Sequence, residues 1–345
     1  MPAAQVPSAG PKATARPTTP DEPSDGARVT GTLTRMPDPK PGSAEQVGPG
    51  IADTASVLDE VPTSGALVHL PGLAPASPTP AHDPRRSDVD EWGRSEHMRE
   101  LARRLYGPIY RNLFRAEWSG LEKIPTEGGA LLVANHAGAV PSDAPVIIHG
   151  IEEELHRPVY GLADSMFKGM PVVGTLWSRM GGVVAHPDNA YRLLKEQGQL
   201  VLVFPEGSKG PGKTYQERYQ LRRFGRGGFV EITMRAGVPV VPIAVVGAEE
   251  SMPTLVNIPP LAKLFGSPYF PITANQLLFG PLLGLVTYLP AKFRLRVLDP
   301  VTFDVEADQP RYSKSRIMEE AETIRQQIQE ALHDMLRRRQ SVWRG

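Results

Sequence analysis

The chain has 345 residues, no cysteine, eight histidines, and 38 basic against 38 acidic residues. The absence of cysteine excludes disulfides, thiol catalysis and cysteine-ligated metals, and the balanced charge argues against a nucleic-acid partner. The composition is uneven: residues 1–84 hold 16 of the 36 prolines and no Phe, Trp or Tyr.

Such a segment buries too little apolar surface to offset its ordering entropy, so residues 1–90 read as a disordered Pro-rich tail. The tail also lacks the apolar core and cleavage site of a signal peptide. Residues 1–84 carry 5 Lys and Arg against 9 Asp and Glu, leaving 33 basic and 29 acidic residues in the remainder. A mildly basic remainder suits an anionic membrane surface. Next comes "SEHMRELARRLYGPIYRNLFRAEWSG" (95–120), where Met98, Leu101, Leu105, Ile109 and Leu113 recur at helical spacing and arginines fill other positions. Gly107-Pro108 predicts a kink or break. Residues 91–120 are therefore expected to be amphipathic helices facing a bilayer.

From residue 121 strands and helices alternate. Strands are predicted at 130–135, 158–163, 181–185, 199–204, 238–247 and 293–299. Helices are predicted at 144–155, 188–198, 227–237 and 313–339, the last with Ile317, Ala321, Ile324, Ile328, Leu332 and Met335 on one face. This order implies an α/β domain over 121–345, a mostly parallel sheet covered by helices on both faces. The stretch 270–290 is uncharged but broken by Pro271, Pro281, Pro290, Gly280 and Gly284, so it reads as core-packing or surface-seeking rather than membrane-spanning. Ligands in such sheets bind beyond the carboxyl ends of strands, which directs attention to the loops after Ala134, Ala185, Phe204 and Val246.

The first of these loops, "VANHAGAVPSDAP" (133–145), places His136 just beyond a strand with Asp143 nearby. An imidazole is the usual general base for a hydroxyl, and a carboxylate beside it fixes its tautomer. Equally, Ser142 or Asp143 could cap the following helix and His136 could be an ordinary loop histidine. No zinc-ligand spacing is present. The loop after 199–204, "FPEGSKGPGKT", contains Gly207, Gly212, Lys213 and Thr214 in the spacing of a phosphate-binding P-loop. Against that reading, Glu206 would repel phosphate, and the following "TYQERYQLRRFGRGG" lacks an apolar face to pack on a sheet.

Asn135-His136 followed by Asp143, then Phe204-Pro205-Glu206-Gly207-Ser208-Lys209, then the Val238–Ile243 strand, resemble the glycerolipid and lysophospholipid acyltransferase superfamily over roughly residues 95–300. Its four sequence blocks fall at 135–143, 181–189, 204–209 and 238–243. The resemblance implies an enzyme moving a fatty acyl group from acyl-CoA, or from acyl carrier protein, to a glycerolipid hydroxyl. His136 would be the general base with Asp143 as its partner, and Glu206, Gly207, Ser208, Lys209, His186 and Arg226 would hold the acceptor. Acyl-CoA enters as co-substrate, and no other cofactor and no metal is implied. The expected setting is peripheral, on the cytoplasmic face of a membrane, with lipid acceptor and acyl donor as partners. Oxyanion donors are sought among backbone amides near Gly138 or Gly207.

Two departures from the family pattern stand out. Six residues separate His136 from Asp143 where the family usually has four; along a helix that is about 10 Å, so the loop must fold back, through Gly138 and Pro141. The second block reads "GGVVAHPDNA", with His186 where an arginine for the acceptor's phosphate is usual. The alternatives are a non-catalytic lipid-binding protein of the same fold, a P-loop NTPase through residues 207–214, and an esterase using Ser208, whose surroundings lack the full nucleophile-elbow pattern.

Overall fold

The computed structural model describes residues 88–165, 172–309 and 311–344; the Pro-rich tail up to residue 87 lies outside the described residues. Nine strands occur among them: β1 (Glu117–Ser119), β2 (Ala130–Ala134), β3 (Val159–Ala163), β4 (Gly182–Val184), β5 (Leu200–Val203), β6 (Val240–Val246), β7 (Thr254–Asn257), β8 (Pro271–Thr273) and β9 (Arg294–Val297). Seven form one sheet in the order β1-β9-β6-β2-β5-β3-β4, and β7 with β8 makes a separate antiparallel pair.

Strands β6, β2, β5, β3 and β4 run parallel. Strand β9, between β1 and β6, runs antiparallel to β6 and parallel to β1. β2 is central, with Leu132 level with Leu202 of β5 and Val241 of β6, and all five of its residues are buried. A strand enclosed on both faces reads as a continuous apolar run, and "ALLVA" does. Its alternation serves two cores. Leu131 and Val133 join Val201, Val240 and the apolar face of the long C-terminal helix on one side. Leu132 and Ala134 join Val146, Ile147, Ile151, Tyr110 and Phe114 on the other.

Helices α1 (Glu96–Pro108), α2 (Asp143–Leu155), α3 (Val173–Arg179), α4 (Pro187–Tyr191), α5 (Gly228–Ala236), α6 (Ala248–Ser251), α7 (Pro259–Leu264), α8 (Ala274–Phe279) and α9 (Lys314–Arg338) complete the described elements apart from short 3₁₀ and π turns. The six apolar positions expected on one face of α9 are all buried. The antiparallel course of β9 was not legible in the sequence, because a short strand looks the same in either direction.

The interruption expected at Gly107-Pro108 takes the form of a change of ladder: the α-helix ends at Pro108 and a π turn follows over Ile109–Leu113, closed by Phe114 N–H donating to Ile109 O at 2.9 Å. Residues 117–119, expected as the end of that helical segment, form edge strand β1 against β9. The helix 188–198 likewise passes from α4 into a π turn over Arg192–Glu196.

The orientation of α1 is also set by charge rather than by its apolar stripe alone. Arg99 is buried and donates Nε to Glu152 of α2 at 3.0 Å, while Arg94 reaches the other oxygen at 3.2 Å. A buried carboxylate needs such partners. The apolar residues Leu101 and Leu105 then stand exposed, at 42 and 68 %. Together with Met98, Tyr106, Ile109, Leu176 and Met180 they line a shallow apolar groove.

Candidate active site

Strand β2 delivers Asn135 and His136 to the carboxyl edge of the sheet. The Asn135 side chain continues the sheet pairing: its Nδ2 donates to Val245 O at 3.0 Å and its Oδ1 accepts from Val245 N–H at 2.8 Å. This ties the end of β2 to β6 and sets the direction in which His136 leaves the strand.

The chain then turns back. Gly138 has φ +84°, a conformation that disfavours a side chain, and a Cβ there would lie 3.2 Å from Ala248 O. Pro141 lies in the same turn, and α2 starts at Asp143. The return brings the Asp143 carboxylate to the histidine despite the six intervening residues: His136 Nδ1 and Asp143 Oδ2 are 3.0 Å apart. Asp143 is fully buried, and the same Oδ2 accepts the Ala137 N–H at 2.8 Å while Oδ1 accepts the Ala144 N–H at 2.7 Å. Asp143 therefore both closes the first turn of α2 and holds the ring. Ser142 does not cap the helix; its hydroxyl meets the Ser251 hydroxyl at 2.9 Å.

An ionised Asp143 accepts from Nδ1–H, which leaves Nε2 with the lone pair. The ring lies flat on Phe204, with centroids 4.1 Å apart and planes 16° from parallel, and keeps 15 % of its side chain exposed. One face of the imidazole is thus packed, its inner nitrogen is bound, and its outer edge is accessible. Such a group can take a proton from a hydroxyl and return it. Two tyrosines border this region. Burial, reinforced by the Asp143 charge, pushes Tyr269 and Tyr288 each up to about 12. Tyr269 donates its hydroxyl to Ala139 O at 3.1 Å, bracing the returning loop.

The loop after β5 packs against this turn. Gly210 touches His136 so closely that a Cβ would fall 2.7 Å from both His136 Cβ and His136 O. Glu206, expected to hold the acceptor, instead faces inward with a fully buried side chain. Its Oε1 accepts the His136 backbone N–H at 3.0 Å, and its Oε2 accepts the Arg222 N–H at 2.7 Å and lies 3.2 Å from Lys213 Nζ. Both oxygens of this carboxylate already accept from protein donors.

Lys213 is buried as well and lies 3.4 Å from Glu249 Oε1. The P-loop reading ends here. The lysine that would reach phosphates is enclosed by two carboxylates, and only a three-residue 3₁₀ turn, Tyr215–Glu217, follows the loop. Burial, offset by Lys213, pushes Glu249 up to about 7. A second buried set lies alongside it: Tyr219 donates its hydroxyl to Glu250 and accepts from Gly247 N–H, and Glu250 pairs with Arg339 at 2.8 Å.

The remaining expected site residues are less tightly placed. Gly207, Ser208 and Lys209 form an exposed 3₁₀ turn. The Gly207 N–H already donates to Phe204 O at 2.9 Å, which removes it as an oxyanion donor. Arg226 is exposed. His186 is exposed, accepts from Asp188 N–H as the cap of α4, and lies 3.5 Å from the Asp188 carboxylate. Sequence reasoning passed over Phe204 as a stacking partner, the pairing role of Asn135, and Glu249. The first two follow from apolar and amide residues at strand ends; Glu249, ahead of a loop with no motif, carried no signal.

The Acyltransferase family model matches residues 115–246, a span that includes His136, Asp143, Glu206 and Lys213. An uncharacterized protein of Mycobacterium tuberculosis is 40 % identical over 264 residues, covering 74 % of this chain and 72 % of that protein. The bovine protein named "DGAT1/2-independent enzyme synthesizing storage lipids" is 24 % identical over 232 residues, 66 % of each chain. Among solved structures, the 1-acyl-sn-glycerophosphate (LPA) acyltransferase PlsC of Thermotoga maritima aligns with a TM-score of 0.45 and 19 % identity, covering 71 % of this chain and 80 % of that one.

Proposed function

From the premise that this chain belongs to the acyltransferase family, we propose that it transfers a fatty acyl group from acyl-CoA to a hydroxyl of a glycerolipid, with His136 as general base. The single observation that carries the mechanism is the 3.0 Å contact between His136 Nδ1 and Asp143 inside a loop whose spacing departs from the family's. The acceptor hydroxyl gives its proton to His136 Nε2 as its oxygen bonds to the thioester carbonyl carbon. Asp143 stabilises the imidazolium that forms. Collapse of the tetrahedral intermediate breaks the C–S bond, and the departing thiolate takes the proton from His136. The Gly138 amide is the remaining backbone candidate for the oxyanion.

Two further groups of residues support a reading of the acceptor and the setting. Lys213 is neutralised inside the protein, and His186 replaces the family's arginine, so the reading extends to neutral glyceride acceptors as well as phosphate-bearing ones. Leu264, Phe265, Leu277, Leu278, Leu282 and Val286 stand exposed in the segment after β6, and Leu101, Leu105 and Leu176 stand exposed near α1. Apolar exposure on this scale supports peripheral docking on a bilayer, at the cytoplasmic face where acyl-CoA is available. No helix among the described residues is long and apolar enough to cross a membrane.

The test is CoA release read with a thiol reagent, which the cysteine-free chain leaves without background. Acyl-CoA is offered with lysophosphatidate, lysophospholipids, glycerol 3-phosphate, monoacylglycerol or diacylglycerol. Turnover with one of these acceptors, abolished in His136→Ala, is expected; turnover unchanged in that variant would remove His136 from the reaction. Co-flotation with anionic liposomes, weakened in Leu278→Glu/Leu282→Glu, is the expected sign of docking, and a protein that stays at the bottom of the gradient would refute it.

A further inference from the structure

Lys213 was singled out by its glycine-rich surroundings, and the acyl-transfer reading does not use it. Lysine is among the residues least often buried without a partner, because its ammonium loses its hydration. Here the side chain is 2 % exposed, and Nζ meets Glu206 Oε2 at 3.2 Å, Glu249 Oε1 at 3.4 Å and the Gln220 carbonyl at 3.4 Å. The ammonium is enclosed by two carboxylates and a carbonyl, which turns it away from any phosphate in this arrangement.

What the ammonium does hold is Glu206. That carboxylate is fully buried, and its other oxygen takes the His136 backbone N–H at 3.0 Å. The chain of contacts therefore runs from Glu249 to Lys213 to Glu206 to the backbone of the proposed base. A second path runs parallel to it. Lys213 N–H donates to Gly210 O at 3.1 Å, and Gly210 is the residue pressed against His136 Cβ and carbonyl. Lys213 thus anchors, through side chain and main chain, both surfaces on which His136 rests.

We infer that Lys213 is a positioning residue for the acyl-transfer reaction: paired with Glu249, it holds Glu206 oriented so that Glu206 fixes the backbone of His136. The inference rests on the acyltransferase reading above. Without the ammonium, Glu206 would be a buried carboxylate with no counter-ion, an arrangement that burial strongly disfavours. Its side chain would turn or the loop would open, and the His136 backbone would lose its hold. Glu249 deepens this effect, since its charge sits beside the same site; removing it relieves part of the loss.

The test measures kcat and KM for Lys213→Met and for Lys213→Met/Glu249→Gln, normalised to folded protein by circular dichroism and Tm. Lys213→Met is expected to lower kcat roughly tenfold to a hundredfold, with KM for acyl-CoA within about twofold. The double variant is expected to recover part of that rate. A folded Lys213→Met with wild-type kcat overturns the inference, as does a loss confined to KM for acyl-CoA, which would make Lys213 a substrate contact. If Lys213→Met alone does not fold, the double variant carries the decision: it keeps the net charge of the cluster, and wild-type kcat in it overturns the inference equally. Absence of acyl transfer by the wild-type chain would instead refute the proposed function, so the two failures are distinct.

Discussion

Two loops leave neighbouring strands at the same edge of the sheet, and each carries one fully buried carboxylate that reaches His136. Asp143, in the loop after β2, binds the imidazole; Glu206, in the loop after β5, binds the main chain of the same residue. Their surroundings differ in one respect. Asp143 is satisfied by two backbone N–H groups and the ring, with no cation among the described residues within ion-pairing distance except the histidine itself, whereas Glu206 shares a buried lysine with a third carboxylate. A carboxylate that is to stabilise a forming imidazolium serves best when that cation is its main counter-ion. One that is to hold backbone serves best when a permanent cation keeps it ionised. Burial alone does not tell a catalytic carboxylate from a supporting one; the identity of the neighbouring cation does.

The sharpest way to break this comparison is at the ring. His136→Ala is expected to lower kcat roughly 10²–10⁴-fold, and Asp143→Asn to fall within that range. The double variant should be no slower than His136→Ala alone, because the pair acts as a unit. Additive losses in steady-state kinetics would mean that Asp143 works apart from the ring.

Next in size is Glu206→Gln. Removing one member of a buried ionic cluster is expected to cost about 3–5 kcal/mol of stability, read by denaturant unfolding, together with slower turnover. Asp143→Asn should lose activity with the smaller stability change. If the two variants reverse that order, the division of labour between the loops is wrong.

Gly210 offers a subtler probe of the contact between the loops. Gly210→Ala introduces a Cβ at 2.7 Å from His136 backbone and side-chain atoms, so the loops must part. A fall in kcat of roughly tenfold or more is expected, with far-ultraviolet circular dichroism unchanged; full activity would show that their spacing is not used.

The smallest effect concerns pH. Glu249 sits at about 7, raised from its ordinary value by burial. Between its unfolded value and that figure, the folded state holds a proton that the unfolded chain has released. Its contribution to stability is therefore greatest below about 4.5, falls as pH rises toward 7, and levels off above. In Glu249→Gln the corresponding decline of Tm from pH 5 to pH 7 should be shallower than in the parent. An identical slope would place the proton elsewhere.

Much of the fold was legible beforehand for a simple reason. Buried parallel strands such as 130–134 and 240–246 are uninterrupted apolar runs, and α9 repeats its apolar residues at helical spacing. The β7–β8 pair and the short helices after β6 were not legible, because that segment is apolar without a period. The direction of β9 was hidden because pairing sense is a property of two strands. At the site, His136 and Asp143 could be named from residue type and order. The inward direction of Glu206 was not legible, because a carboxylate in a conspicuous motif looks the same whether it faces a ligand or the interior.

By itself, the sequence determined the buried strands, the long C-terminal helix and which residues can carry a proton, since these depend on local periodicity and on side-chain chemistry. Only the tertiary structure decided that a histidine and an aspartate seven positions apart meet at 3.0 Å, that Lys213 turns inward to two carboxylates, and that Leu101 and Leu105 face outward while Arg99 is buried. Those outcomes rest on a loop reversing at Gly138 and on charges seeking partners across elements far apart in the chain. Coulomb attraction and burial act through space, and no local pattern records them.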